Sequence, residues 1–259
     1  MEPSYPEPTE MEPNLSEVRS KYKALNKLLK SLEPPAEPPR YDFEVDVWAE
    51  YTTFMKTDER EWLLDGLEHG FDIYVKDELD LSRDAVKNLP TDLTRKVATV
   101  EWIYKNIGLD AIWGPFKSMS ELPSWLMGKL RVSPIGAIKK GLHLWIPNHL
   151  KEWRVIHHLS HPRSGPSVNS EVIDEWATVQ YVQFREVVQM VHSLGKGALL
   201  WTVDAKDAYL RVPIKQRAMK HMGFKWDKLI YVFTCLSFGL ASAPRIYTLF
   251  ADAVLEIIK

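Results

Sequence analysis

At residue 131 the apolar pattern of this 259-residue chain changes period, and that change limits the folds open to it. Upstream, "VWAEYTTF", "DEREWLLDGLEHGF" and "DLTRKVATVEWIYKNIG" repeat their apolar residues every three or four positions, the spacing of one helix face. Downstream, "RVSPIGAIKK", "EWRVIHHLS", "ALLWTVD", "HMGFKW" and "LIYVFTC" are short runs rich in β-branched and aromatic residues, separated by turn signals. A helical stretch, "TVQYVQFREVVQMVHSLG", interrupts them. The sequence therefore predicts an α+β protein with a helical N-terminal region, divided near residues 40 and 128.

Residues 1–40 carry "PPAEPP" at 34–39 and four further prolines before residue 14, so they are expected to be largely disordered apart from one short helix. That helix is "NLSEVRSKYKALNKLLKSL". Leu15, Val18, Tyr22, Leu25, Leu29 and Leu32 share a face, and Asn14 with Glu17 is placed as a capping box. It reads as a helix docked on its own chain, with a protein partner as the alternative. Residues 41–128 are expected to be mostly helical, closed at Gly70 and Gly108. Trp48, Trp62 and Trp102 stand at core spacing there, although each has a face on which a base could stack. In "KWDKLIYVF" Asp227 marks a hairpin turn. "SFGLASAPRIYTLFADAVLEIIK" reads as a glycine loop followed by a helix, with Ser242 near its cap, Pro244 in its first turn, and Ile246, Leu249, Phe250, Val254 and Ile257 on one face.

Charge is unevenly distributed. The net of −2 divides into −5 for residues 1–60 and +3 for the remainder, so affinity for a polyanion has to come from local clusters of basic groups. A single cysteine, Cys235, excludes an internal disulfide framework and fits a reducing, intracellular setting, cytoplasmic or nuclear. No apolar run has the length of a membrane span, and the acidic, proline-rich start is unlike a secretory leader, so no membrane partner is expected.

The chemistry is concentrated in "LLWTVDAKDAYLRVPI", residues 199–214, an apolar run that ends in Asp204 and Asp207. A carboxylate at the end of a buried strand is costly unless a cation or strong donors compensate it. Mg2+ is such a cation, since it takes one or two carboxylates together with phosphate oxygens and water. Asp204 is the best-placed ligand and the carbonyl of Ala205 a second. The spacing alone leaves an exposed turn aspartate equally open.

In sequence order, "RVSPIGAIKKG", "EWRVIHHLSHPRSGPSVNS", "VDAKDAYLRVPI" and "CLSFGLASAPRIYTLFADA" resemble the fingers segments and first two palm motifs of reverse transcriptases. With "LLDGLEHGF" and "IWGPF" upstream, the resemblance extends to the polymerase of DIRS-type, tyrosine-recombinase-bearing retrotransposons. It covers about residues 129–259 and, more weakly, reaches back to about residue 44. It implies a partial right-hand polymerase, fingers and incomplete palm, that acts on an RNA/DNA template-primer and a dNTP with Mg2+. By the same resemblance Asp204 is the catalytic metal ligand, with Ala205 beside it. Lys140 and Arg154 meet the triphosphate, and the backbone around Asp207 and Ala208 faces it. Tyr209 lies under the sugar and excludes a 2′-hydroxyl; Phe238 and Gly239 belong to the nucleotide-binding set, and Gly239 with Ser242 and Pro244 shapes the loop and helix start beside the template and the nascent base pair.

Several departures from that pattern shape the expectation. No Asp-Asp pair occurs anywhere, so the "Y-x-D-D" carboxylates of the family are missing, as are the thumb and ribonuclease H regions. The resemblance thus implies truncation before that motif and a chain inactive by itself. "GLHLWIPNHLKE" after Lys140 is longer than the usual hairpin turn, His158 stands where an aspartate is common, and Leu236-Ser237 replaces Leu-Pro. His157, His158 and His161 offer three ring ligands, but strand alternation separates the first two and no cysteine or carboxylate nearby completes a zinc set. Two alternatives to a polymerase piece are a non-catalytic remnant that binds nucleic acid or protein, and an unrelated α+β domain.

Overall fold

The computed structural model describes residues 14–76, 86–139, 153–200 and 204–258. The helical part comprises α1 (Leu15–Ser31), α2 (Val45–Tyr51), α3 (Thr57–His69) and α4 (Leu93–Ile107). Strand β1 (Ile112–Phe116) follows, then β2 (Ile135–Lys139) and β3 (Trp153–His157), short α5 (Asp174–Ala177), α6 (Phe184–Leu194), β4 (Gly223–Trp226), β5 (Leu229–Phe233) and α7 (Ala243–Ile258).

Two sheets form from these strands. β5 lies between β1 and β4, antiparallel to both, and all five of its residues are buried, which explains an apolar run without alternation in "LIYVF". The β4–β5 turn falls at Asp227-Lys228, both at positive φ, as a two-residue hairpin requires. β2 and β3 pair antiparallel from Ile135–His157 to Lys139–Trp153. The sheets are joined at Gly223, whose N–H donates to Arg131 O (3.1 Å) and whose carbonyl accepts from Ser133 N (2.9 Å). Trp113, Phe224, Tyr231 and Phe233 fill the core at this junction.

The segments ahead of residue 131 pack on this platform. α4 lies on β1, β2 and β3, and α1 lies on α4. α1 is capped by Asn14, whose Oδ1 accepts from Ser16 N and whose amide donates to Glu17; the reciprocal carboxylate-to-backbone bond of a capping box is not made. Leu29 is fully buried beneath α1, with Tyr22, Leu25 and Leu32 around it. The proline-rich stretch that follows runs along the body. Pro35 O accepts from Trp113 Nε1 (2.9 Å), and the Tyr41 hydroxyl donates to Leu210 O (2.6 Å). Trp48, Trp62 and Trp102 pack against the core through Phe250, Phe71 and Phe233, so their rings serve packing.

One expected element is corrected. Ala198–Leu200, the start of the expected buried strand, form no strand, and Leu199 is 92% exposed. Residues 201–203 lie outside the described residues. A strand needs a ladder partner, and β5, the central strand of the sheet, already has one on each edge. α6 forms where the apolar spacing places a helix, with Gln183 and Glu186 making a complete capping box, yet it buries none of its residues.

Candidate active site

Backbone bonding determines which side chains meet. After the aspartates, a 3-10 turn (Ala208–Arg211) buries Leu210 and leads into residues 212–214, which lie against the continuation of β5. Ile214 N donates to Thr234 O (3.0 Å), and Leu236 N to Val212 O (2.9 Å). The chain then turns at Phe238-Gly239 and is tied to the β2–β3 hairpin, because His157 N donates to Phe238 O (3.0 Å). Gly239 is at φ +112, and a Cβ there would come 2.0 Å from His157 O, so only glycine permits this approach. Asn169 closes the turn: its amide donates to Gly239 O (2.7 Å) and its Oδ1 accepts from Ala241 N (2.9 Å).

Around that turn four sequence-distant segments converge. The Arg154 guanidinium stands 5.5 Å from the Phe238 ring centroid, over its face. Tyr209 packs against Phe238 (4.9 Å between centroids) and edge-on to Tyr247 of α7 (5.5 Å). Burial, then the neighbouring Tyr181 and Tyr247, push the Tyr209 phenol above its ordinary range, against the pull of Arg154. Burial also raises the Tyr247 phenol, and the Asp204 carboxylate adds to the shift. Asp204 and Ala205 are themselves exposed, and the charge of Asp204 reaches Tyr247, so the acidic tip opens to solvent on the Tyr247 side of this cluster. Strand alternation accounts for Arg154: Val155 and His157 of β3 point inward, which leaves Arg154 on the outer face.

Asp207 is placed differently. It adopts a left-handed conformation at the start of the 3-10 turn, and its carboxylate takes an ion pair from Lys105 at the end of α4 (2.7 Å). Ala208 follows as the first residue of that turn. Lys140 lies outside the described residues. The histidines divide as alternation predicts. His157 is buried and stacks on Phe233 (5.0 Å), whereas His158 packs edge-on to His161 (5.8 Å) in the following loop. Burial, His161 and Arg163 hold His158 below its ordinary pKa.

Among the described residues the donor set does not complete a two-ion clamp. Among the described residues no group of three or more His, Cys, Asp or Glu side chains is positioned to hold a metal ion. With Asp207 engaged by Lys105, Asp204 supplies one carboxylate where two divalent ions need more. Tyr181, Tyr247 and Asn169 were not singled out in the sequence. Only Tyr247 carried a signal, one residue past Ile246 on a helix whose first turn closes the glycine loop.

The sequence matches no protein-family model and no curated protein. In structure, the chain is similar to the foamy viral protease-reverse transcriptase dRH in complex with ds DNA: TM-score 0.45, 15% identity, 87% of this chain and 37% of that one. It is also similar to the foamy viral protease-reverse transcriptase in complex with dsDNA, with TM-score 0.43, 15% identity, and 85% and 43% of the two chains. A third likeness is to the native Prototype Foamy Virus Protease-Reverse Transcriptase, with TM-score 0.43, 14% identity, and 87% and 28% coverage. The chain thus spans less than half the length of each of those proteins. Among the described residues no helix is long and apolar enough to cross a membrane.

Proposed function

We propose that this chain is the fingers and part of the palm of a reverse transcriptase of the DIRS-type retrotransposon kind, and that the turn at Phe238-Gly239 is where an incoming deoxynucleoside triphosphate sits. What supports the reading is the convergence of Arg154, Tyr209 and Phe238 on one solvent-open corner, although they come from three separate sequence motifs, with the charge of Asp204 reaching the adjoining Tyr247. Arg154 would take the triphosphate oxygens, a task suited to a planar guanidinium. Tyr209, fixed between Phe238 and Tyr247, would present its ring to the sugar and discriminate against a 2′-hydroxyl by exclusion. Asp204 would hold one Mg2+ arriving with the nucleotide; that ion would neutralise phosphate charge. Lys140 and the backbone at Asp207 and Ala208 belong to the same reading.

In this reading the 259-residue chain binds substrates but does not extend a primer, because one carboxylate does not hold the two ions that nucleotidyl transfer uses. Titration of the purified chain with Mg·dGTP tests the first part. Arg154→Ala is expected to weaken binding about ten- to a hundredfold, the size of a lost charge-assisted hydrogen bond, and Tyr209→Ala to bring GTP and dGTP closer in affinity. Nucleotide binding indifferent to both substitutions overturns the proposed site. Primer extension with Mg2+ tests the second part, and incorporation by the wild-type chain overturns it.

A further inference from the structure

We propose that the outward face of α1 is a binding surface for the phosphate backbone of a nucleic acid. Arg19, Lys23 and Lys27 recur every fourth residue, so they form one row along the helix with a step of about 6 Å at the helical rise. All three are exposed. The other two lysines of the helix are tied down: Lys21 pairs with Glu101 and Lys30 with Asp227, each at 2.5 Å. Glu17, the lone carboxylate in α1, accepts from the Asn14 amide (3.1 Å). Among the described residues no carboxylate stands within ion-pair distance of the three row cations. At one end of α1 the β4–β5 turn is held by Asn26 and Lys30 through Asp227, and the next residue, Lys228, is exposed there as a further cation.

The choice of partner follows from what the helix has already used. Its apolar side is spent on the body of the protein, with Leu29 fully buried and Tyr22, Leu25 and Leu32 packed beside it. A helix that binds in a lipid interface needs that apolar face free. A protein partner needs a central aromatic or aliphatic anchor, whereas Ser20 and Ala24 flank the middle of the row and the exposed Leu15 and Leu28 stand at its two ends. A polyanion needs neither, since affinity comes from release of its condensed counterions by a row of cations. The chain's net charge of −2 gives no general attraction, so a local row has to supply it.

The inference does not rest on the candidate active site, and the test separates the two. Binding of the full chain to a labelled DNA duplex of about 20 base pairs is measured by fluorescence anisotropy between about 50 and 200 mM salt. The triple variant Arg19→Gln, Lys23→Gln, Lys27→Gln should make the dependence of log K on log salt shallower by about two to three, near 0.9 for each phosphate no longer neutralised, and weaken binding at the lowest salt at least about tenfold. A control, Lys117→Gln, Lys129→Gln, Lys196→Gln, removes the same charge at exposed positions elsewhere and should bind as the wild type does. Circular dichroism and the urea midpoint verify that both variants fold. Asp204→Asn and Arg154→Ala, which disable the proposed nucleotide site, should leave the row's share of the salt slope in place. An unchanged slope in the row variant, an equal loss in the control, or row-dependent binding that favours anionic phosphatidylserine vesicles over the duplex overturns the assignment.

Discussion

At the scale of the residue, two positions carry consequences that can be measured. Gly239 combines a positive φ with a carbonyl 2.0 Å from where a Cβ would sit, and that carbonyl belongs to His157 at the end of β3. Gly239→Ala should cost about 1–3 kcal/mol, the range for a strained backbone position, seen as a lowered urea midpoint, while Ala241→Gly next to the turn costs less. His157 is the second. Its Nε2 lies 3.1 Å from Gly223 O in a fully buried setting, so the ring is neutral with Nε2–H donating, and burial pushes its pKa down to about 3. The unfolded chain has the ordinary value near 6.5, so above that pH both states are neutral and nothing is lost. Below it the unfolded state binds the proton first, and stability should fall by up to about 1.4 kcal/mol per pH unit until the native ring protonates near 3. His157→Phe keeps a ring to stack on Phe233, and Gly223 O retains its bond from Ser133 N. Urea denaturation at stepped pH should therefore show a flatter acid limb for the variant; identical limbs would mean that His157 does not set this dependence.

At the scale of the element, what the sequence revealed depended on whether a pattern had a phase. The β4–β5 hairpin was legible because turn chemistry at Asp227 is local, and α1, α4 and α7 were legible because their apolar residues keep a helical period. "ALLWTVD" has no phase, and a continuous apolar run does not say whether a neighbour will pair with it; Leu199 and Leu200 remain exposed. α6 shows the same limit from the other side. Its period predicts the helix correctly, but period reports a face and not a partner, and Phe184, Val188 and Leu194 stay in solvent. The candidate site was legible in part for a similar reason. Motif residues can be read singly, whereas the Lys105–Asp207 pair and the Asn169 clamp join residues 102 and 70 positions apart and leave no local trace. A helix without buried side chains has little to hold it beyond its capping box, so amides of residues 184–194 should exchange with solvent several orders of magnitude faster than those of β5. Equal protection in the two would show that α6 is packed in solution.

At the scale of the whole molecule, the segment before α2 is what spans the parts. α1 holds α4 through Lys21–Glu101 and the β4–β5 turn through Asp227, Pro35 takes the indole N–H of core Trp113, and Tyr41 reaches Leu210 beside the candidate site. These interactions join three regions far apart in sequence, and a chain tied in this way should unfold as one unit and not region by region. Removing residues 1–43 deletes all of them together with the burial of Leu29, whose removal alone is worth about 2–5 kcal/mol by analogy with buried leucine truncations. The shortened chain should therefore melt well below the parent. Its Trp113, 1% exposed in the intact protein, should become accessible to a collisional quencher, and exchange should quicken around Leu210. Removing residues 1–13 alone leaves every one of these named interactions in place and is the reference against which the longer deletion is read. If the longer deletion melts and quenches like the shorter one, the N-terminal helix and its strap are an appendage, and the rigidity of the corner around Tyr209 and Phe238 has to be credited to the bonding of β3, the glycine turn and residues 212–214 alone.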